Sequence, residues 1–402
     1  MDVTFVLTHD CNLGCGYCYA GAKFNKRMPA HVAERALDLA FEDDPPRVEL
    51  SFFGGEPLLA YDLLVDVAER ARARGAQRGT EVRLSVTTNG TLLDDARART
   101  LDALGVHVAL SIDGTREAHD SGRPRMGGGS SFDDVVRGLD VLLRRGTTFE
   151  TISVVTPANV RLLGESVAFL LDRGVPRIGL NPCYEAAFTD DDLGAWHRGL
   201  DAAAAKMIDC FRGGRIVSIT VFDNKILAAL KGGLVETDRC SLGSRSVAVA
   251  PSGNIYPCER LVAEDEDSTH AMGNVETGLV VRGHGCARGP VNTECEPCGE
   301  RDRCSSSCAC ANLAETGRTD VAGGTQCWHE RTTASVADHI AETLWKEQNP
   351  YFLAWFYGRM IGGGPKPSTA TSSSIDTEKP RSPAGVITRE SPKSKHHLRI
   401  LP

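Results

Sequence analysis

The first 180 residues repeat one unit, a short β-branched run followed by an amphipathic segment. Strand candidates lie at 3–7, 48–53, 82–87, 106–112, 150–155 and 177–180, and helical patterns at 31–41, 61–74, 94–104, 132–145 and 160–172. Consecutive parallel strands need a crossover between them, so this alternation predicts a parallel α/β sheet with right-handed helical connections. Six such units fit a partial (β/α)6 TIM-type barrel, with a doubly wound sheet as the alternative. In either case chemistry collects at the C-terminal ends of the strands.

Apolar residues make up 41% of the 402 and charged residues 24%, enough for a sizeable core. The net charge of -8 removes the default argument for a nucleic-acid partner. No apolar run approaches the roughly 18 to 20 residues of a membrane span. Asp2 stands where a signal peptide carries basic residues, and Thr8-His9-Asp10 interrupts the first apolar stretch. A cytoplasmic protein is expected. In that reducing setting the 14 cysteines read as metal or cluster ligands rather than disulfides. Three lie between Cys11 and Cys18 and nine between Cys240 and Cys327, which predicts two cofactor regions. Cys183 and Cys210 stand apart and read as buried thiols.

Further helices are expected at 196–211 and 221–230, leading out of the barrel. From 240 to 327 the chain turns to Cys, Gly, Ser and charged residues, too apolar-poor to build much core, so bound metal is expected to supply its order. A helical, aromatic pattern resumes over 334–360, with Phe352, Trp355, Phe356 and Tyr357 as core candidates. Residues 365–402 carry four Lys and three Arg against three acids and read as a disordered basic tail.

Cys11-x3-Cys15-x2-Cys18 directly follows the first strand. Three thiolates are one short of a closed zinc site but suit a [4Fe-4S] cluster with one open iron; zinc with a distant fourth ligand stays open on spacing alone. With Tyr17 before the third cysteine, the loop resembles the signature of the radical SAM superfamily. Phe53-Gly54-Gly55-Glu56-Pro57 after the second strand is similar to that family's GGEP motif, and Thr88-Asn89-Gly90 and Ser111-Ile-Asp113-Gly114 fall after the third and fourth. The resemblance covers residues 1–235. It implies that the open iron chelates S-adenosylmethionine, whose reductive cleavage gives a 5′-deoxyadenosyl radical that abstracts hydrogen from substrate. It also implies that Gly54, Gly55 and Glu56 meet the cofactor's ammonium, and that Ser111 and Arg123 contact its ribose and carboxylate. Tyr17 and Asp113 complete this cofactor-binding set. A solvated loop arginine, and loop-structuring roles for Asp113 and His119, are the plainer alternatives.

The second group runs Cys240, Cys258, then Cys295-x2-Cys298-x5-Cys304-x3-Cys308 and Cys327, a spacing that also suits structural zinc. It resembles the SPASM extension, here over residues 236–335, followed by a helical segment over 336–364. The resemblance implies two auxiliary [4Fe-4S] clusters: an outer one on Cys295, Cys298, Cys304 and Cys327, and an inner one on Cys240, Cys258 and Cys308. Where sulfatase-maturating relatives place a further cysteine, this chain has Ser246, which leaves Cys286, Cys310 or an open iron. Glu259 stands where those relatives have a catalytic aspartate and is the candidate base; a surface pair with Arg260 is the alternative.

Three functions follow: a maturase installing a thioether or carbon–carbon cross-link on a ribosomally made precursor peptide, an anaerobic sulfatase-maturating enzyme forming formylglycine from Cys or Ser, or a zinc-stabilised binding protein. The first is preferred, because Ser246 and Glu259 depart from the sulfatase-maturase pattern. A reducing partner such as a flavodoxin or ferredoxin is implied. Because the chain begins at the first strand, leader recognition is expected to use a separate protein or another surface.

Overall fold

A computed structural model describes residues 1–265, 268–280, 292–306 and 308–360. In chain order its elements are β1 (Asp2–Thr8), α1 (Ala30–Ala40), β2 (Arg47–Gly54), α2 (Tyr61–Arg78), β3 (Glu81–Thr88), α3 (Asp95–Ala103), β4 (Val106–Ser111), α4 (Arg116–Asp120), α5 (Phe132–Arg145), β5 (Phe149–Val155), α6 (Leu163–Asp172) and β6 (Arg177–Pro182). They continue with α7 (Asp190–Arg212), β7 (Ser218–Ile219), α8 (Thr220–Lys231), β8 (Ser246–Val249), β9 (Asn254–Tyr256), β10 (Gly273–Asn274), β11 (Gly278–Leu279), α9 (Ala309–Thr316), α10 (Gly324–Lys346) and α11 (Pro350–Met360).

Strands β1 to β7 pair each with the next, all in parallel, and helices make the crossovers. This is the α/β partial barrel that the alternation predicts. Along β2, β3 and β5 buried positions alternate with more exposed ones, whereas β1 and β4 are buried over several consecutive residues. Phe5 and Phe52, with ring centroids 5.9 Å apart, anchor the core under β1 and β2. Helix α5 buries Val135, Leu139 and Leu142, an i, i+4, i+7 stripe, against the sheet. Helix α7 starts at a capping box in which the Thr189 hydroxyl accepts from the Asp192 amide.

Two expectations need correction. The aromatic pattern over 334–360 is two helices: α10 begins ten residues earlier, and the chain turns at Gln348, whose φ is 50°. Asn349 then caps α11 by accepting from the Phe352 amide, and its side-chain amide donates to the Phe211 carbonyl. The cysteine-rich region, for its part, does not depend on metal alone for order. Strand β8 pairs parallel with β1, setting Val247 opposite Val3, and β9 folds back antiparallel on β8. Val247, Val249, Ile255 and Tyr256 are buried there. Strands of two to four residues are too short to show a period, so composition hid them. The sheet therefore runs across the boundary expected near 235.

Helix α10 fastens the end of the chain to the barrel. Glu330 forms a buried ion pair with Lys225 of α8 and accepts from the Ser305 amide, while Trp328 packs on Trp196 of α7. Among the described residues no helix is long and apolar enough to cross a membrane. The tail expected over 365–402 and the cysteine at 286 lie outside the described residues.

Candidate active site

The Cys11–Cys18 loop leaves the C-terminal end of β1 and is clamped from two sides. From the β2 side, the Gly55 amide donates to the Thr8 carbonyl (2.7 Å) and the Glu56 amide to Asp10 (2.8 Å). On the β4 side, the loop's own Gly14 and Gly16 amides donate to Pro124 (2.8 Å) and Gly122 (3.1 Å). Donors reach its sulfurs as well. The Leu13 amide lies 3.4 Å from Cys11 Sγ, and Lys23 Nζ lies 3.0 Å from Cys18 Sγ. Burial pushes the Cys11 thiol up to about 12, so the metal-free loop holds that proton and a bound metal must displace it. Three thiols on one clamped loop, with an amide and an ammonium beside them, fit an anionic iron–sulfur cluster.

Gly54 and Gly55 are required first by packing. A Cβ on Gly54, whose φ is 137°, would stand 2.3 Å from the Thr8 carbonyl oxygen, and one on Gly55 would stand 2.1 Å from that of Asp10. Glu56 is wholly buried. Its Oε1 accepts from the Leu58 amide (2.9 Å) and Thr88 hydroxyl (2.7 Å), and its Oε2 from the Asn89 amide (2.7 Å). Burial raises its pKa. Glu56 thus ties the ends of β2 and β3 together.

Tyr17, Asp113 and Arg123 form one buried group at the end of β4. The Tyr17 hydroxyl donates to Asp113 Oδ2 (2.5 Å), and Arg123 grips Asp113 through Nε and Nη2, both at 3.0 Å. Asp113 Oδ1 also accepts from the Val154 amide at 2.9 Å. Arg123 is 5% exposed and lies over the Tyr17 ring, which excludes the solvated loop arginine. Burial opposes its charge, but the Asp113 carboxylate holds its pKa above the ordinary arginine value. His119 supports the same loop: Ser131 donates to the Arg123 carbonyl, so His119 Nε2 donates to Ser131 and Nδ1 faces the Asp113 amide. Burial and the Arg123 charge lower His119 to about 4, keeping it neutral. Ser111 is half-buried on β4, with its Cα opposite Ile152.

The inner cysteines meet across the barrel mouth. Cys310 Sγ stands 3.5 Å from Cys258 Sγ and 3.9 Å from Cys308 Sγ, and Cys308 is in turn hydrogen-bonded with Cys240. Glu259 Oε2 lies 3.6 Å from Cys258 Sγ. Arg260 turns away from Glu259 to pair with Glu185 (3.0 Å) just beyond β6, and its guanidinium covers the Tyr19 ring at 4.6 Å. Tyr19 stacks on Phe53 (6.0 Å, 1°) within electrostatic reach of Glu259, Cys258 and Cys18; burial first, then Glu259, raises its hydroxyl. It therefore connects the two cysteine groups. Nothing in the sequence marks Tyr19, Lys23 or Glu185 for such positions.

In the outer group, Cys298 and Cys327 are the cysteine neighbours that, after burial, raise the Cys295 thiol. Cys304 is pushed up to about 11 by burial and by Glu330. Cys183 and Cys210 are buried thiols, as expected, with Arg215 Nη2 2.8 Å from Cys210 Sγ.

A clamped three-cysteine loop at the end of β1, in an α/β partial barrel, is the arrangement of a radical SAM enzyme. Residues 5–170 match the radical SAM superfamily. Over 336 residues, 78% of this chain and 80% of the relative, it is 26% identical to a serine-type anaerobic sulfatase-maturating enzyme of Klebsiella aerogenes. It is 33% identical over 175 residues, 44% of its length, to an uncharacterized protein of Methanocaldococcus jannaschii, of which it spans 60%. Its fold is similar to that of anSMEcpe solved with bound AdoMet (TM-score 0.73, 20% identity, 85% of this chain and 98% of that one). It is also similar to Streptococcus suis SuiB bound to precursor peptide SuiA (TM-score 0.57, 16% identity, 81% and 75%).

Proposed function

We propose that this chain is a radical SAM maturase of a ribosomally made peptide, installing an oxidative modification such as a thioether or carbon–carbon cross-link. The observation that carries the reading is the seam at Tyr19, where the residue after Cys18 stacks on Phe53 and lies under the guanidinium of Arg260, two residues after Cys258. When bound, S-adenosylmethionine on an open-iron [4Fe-4S] cluster supplies the hydrogen-abstracting radical, and auxiliary clusters supply an acceptor for the second electron. The chain's own residues do the rest. The backbone of Gly54 and Gly55 lines the cofactor's approach, while Glu56 fixes that loop. Arg123, held by Asp113 and Tyr17, and Ser111 on β4 orient the cofactor from the other side. Glu259, whose Oε2 lies 3.6 Å from Cys258 Sγ, would take the substrate proton. Cys295, Cys298, Cys304 and Cys327 would hold the outer auxiliary cluster. The Arg260–Glu185 pair closes one side of the mouth and offers both charges to a peptide.

Formylglycine formation is the second reading. The match to the Klebsiella aerogenes maturase along 80% of its length favours it. Mass spectrometry of a peptide encoded beside this chain, treated with the reduced enzyme and S-adenosylmethionine, decides between them. Loss of two hydrogens with two residues joined supports the cross-link; a single Cys or Ser converted to an aldehyde replaces it with the second reading. Absence of deoxyadenosine refutes both.

A further inference from the structure

We propose that Cys310 is the fourth protein ligand of the inner auxiliary cluster, completing Cys240, Cys258 and Cys308, so that no iron of that cluster is open to substrate. This rests on the cluster reading given above and adds a ligand that the spacing left undecided.

Residues two apart on a helix point to nearly opposite faces, so a Cys-x-Cys pair inside a helix would diverge. Here the pair straddles the start of α9. Cys308 is the N-cap, with an extended backbone (φ -70°, ψ 96°), and Cys310 sits in the first turn. That break turns both sulfurs to one side, 3.9 Å apart. Cys310 reaches still closer, 3.5 Å, to Cys258, which comes from the far side on the segment after β9. It is 7% exposed, so its sulfur is committed to the cluster of thiols and not to solvent. Ser246, where sulfatase-maturating relatives place the missing cysteine, points elsewhere. It is exposed, and its hydroxyl lies 3.1 Å from that of Ser241. The first-turn amides of α9 and the Arg260 guanidinium supply positive potential beside the thiolates, which an anionic cluster requires. Each thiol gives up its proton to solvent as it ligates iron.

The consequence for chemistry is definite. A fully ligated inner cluster can pass an electron but cannot hold a substrate thiolate, so the peptide must be positioned by protein side chains at the mouth.

The test uses the full chain with Cys11, Cys15 and Cys18 changed to Ala, reconstituted anaerobically with iron and sulfide, so that only auxiliary clusters remain. This background is expected to bind about eight irons, four per cubane. Its reduced spin-resonance spectrum is expected to be unaffected by ¹³C-cyanide. Adding Cys310→Ala is expected either to open an iron, seen as ¹³C hyperfine coupling, or to halve the iron content. Cys310→Ser, which keeps an oxygen donor, is expected to retain the iron with a shifted spectrum, and Cys183→Ala to change nothing. The inference is overturned if Cys310→Ala leaves both iron and spectrum unchanged, or if the background itself couples to cyanide. Zinc in place of iron would overturn it together with the functional reading, whereas an unchanged Cys310→Ala spectrum on an iron-loaded background overturns this ligand alone.

Discussion

The Arg123–Asp113 pair gives the sharpest quantitative test, because both side chains are almost fully buried (7% and 0% exposed) and the contact is bidentate. Arg123→Ala leaves the Asp113 carboxylate with only the Tyr17 hydroxyl and the Val154 amide as donors. Removing one partner of a buried ion pair costs about 3 to 5 kcal/mol, since the remaining charge stays desolvated. Asp113→Asn is expected to cost a similar amount by leaving the guanidinium over Tyr17 without its counterion. In the double variant Asp113→Asn/Arg123→Met neither charge is stranded, so the loss should fall short of the sum by about 2 kcal/mol. Arg123→Lys keeps the charge but not the two-pronged geometry and should fall between wild type and Arg123→Ala. The assay is anaerobic urea unfolding of the metal-free chain at pH 7, followed by tryptophan fluorescence. A coupling below about 0.5 kcal/mol, the error expected for independent sites, would refute a buried pair as the support of this loop.

His119 and His329 are both held near 4, chiefly by burial. Between about 6.5 and 4 the unfolded chain binds protons that the folded one excludes, so stability is complete above 6.5 and falls with pH, each histidine adding up to about 1.4 kcal/mol per unit. His119→Gln should flatten that slope in pH-dependent unfolding; an unchanged slope would count against a neutral buried imidazole. Gly55→Ala must push a methyl into the Asp10 carbonyl, so S-adenosylmethionine binding, measured by equilibrium dialysis on the reconstituted enzyme, should fall at least tenfold. Lys225→Met strands Glu330 beside the Cys304 loop and should cost about 3 to 5 kcal/mol, read as lost thermal stability; a shift in melting temperature under a degree would refute it.

The six parallel strands were legible because their short runs are rich in β-branched and aromatic residues, and the intervening helices need a 3.6-residue stripe. The three-cysteine loop was legible because ligand spacing is a local property. What stayed hidden depends on contacts far apart in the chain. Glu56 is met by donors from Thr88 and Asn89, 32 and 33 positions on, so its motif revealed its place and not its partners. Tyr19 joins Phe53 and Arg260, and no window of sequence contains all three. Cys310 lies two positions after Cys308, a spacing that predicts divergence until the helix start between them is known. Strands β8 to β11 were missed because their pairing energy comes from β1 and from each other rather than from their own length.

The hydrogen bonds between β8 and β1 also decide what happens if the chain is cut. A fragment ending near residue 235 would strip β1 of its outer neighbour and leave unpaired amides and carbonyls along the strand that launches the Cys11 loop. Such a piece should self-associate through that bare margin instead of folding as an independent module. In the intact protein the same seam joins the strand that launches the Cys11 loop to the strand pair that leads into Cys258, so both segments are held by one continuous sheet.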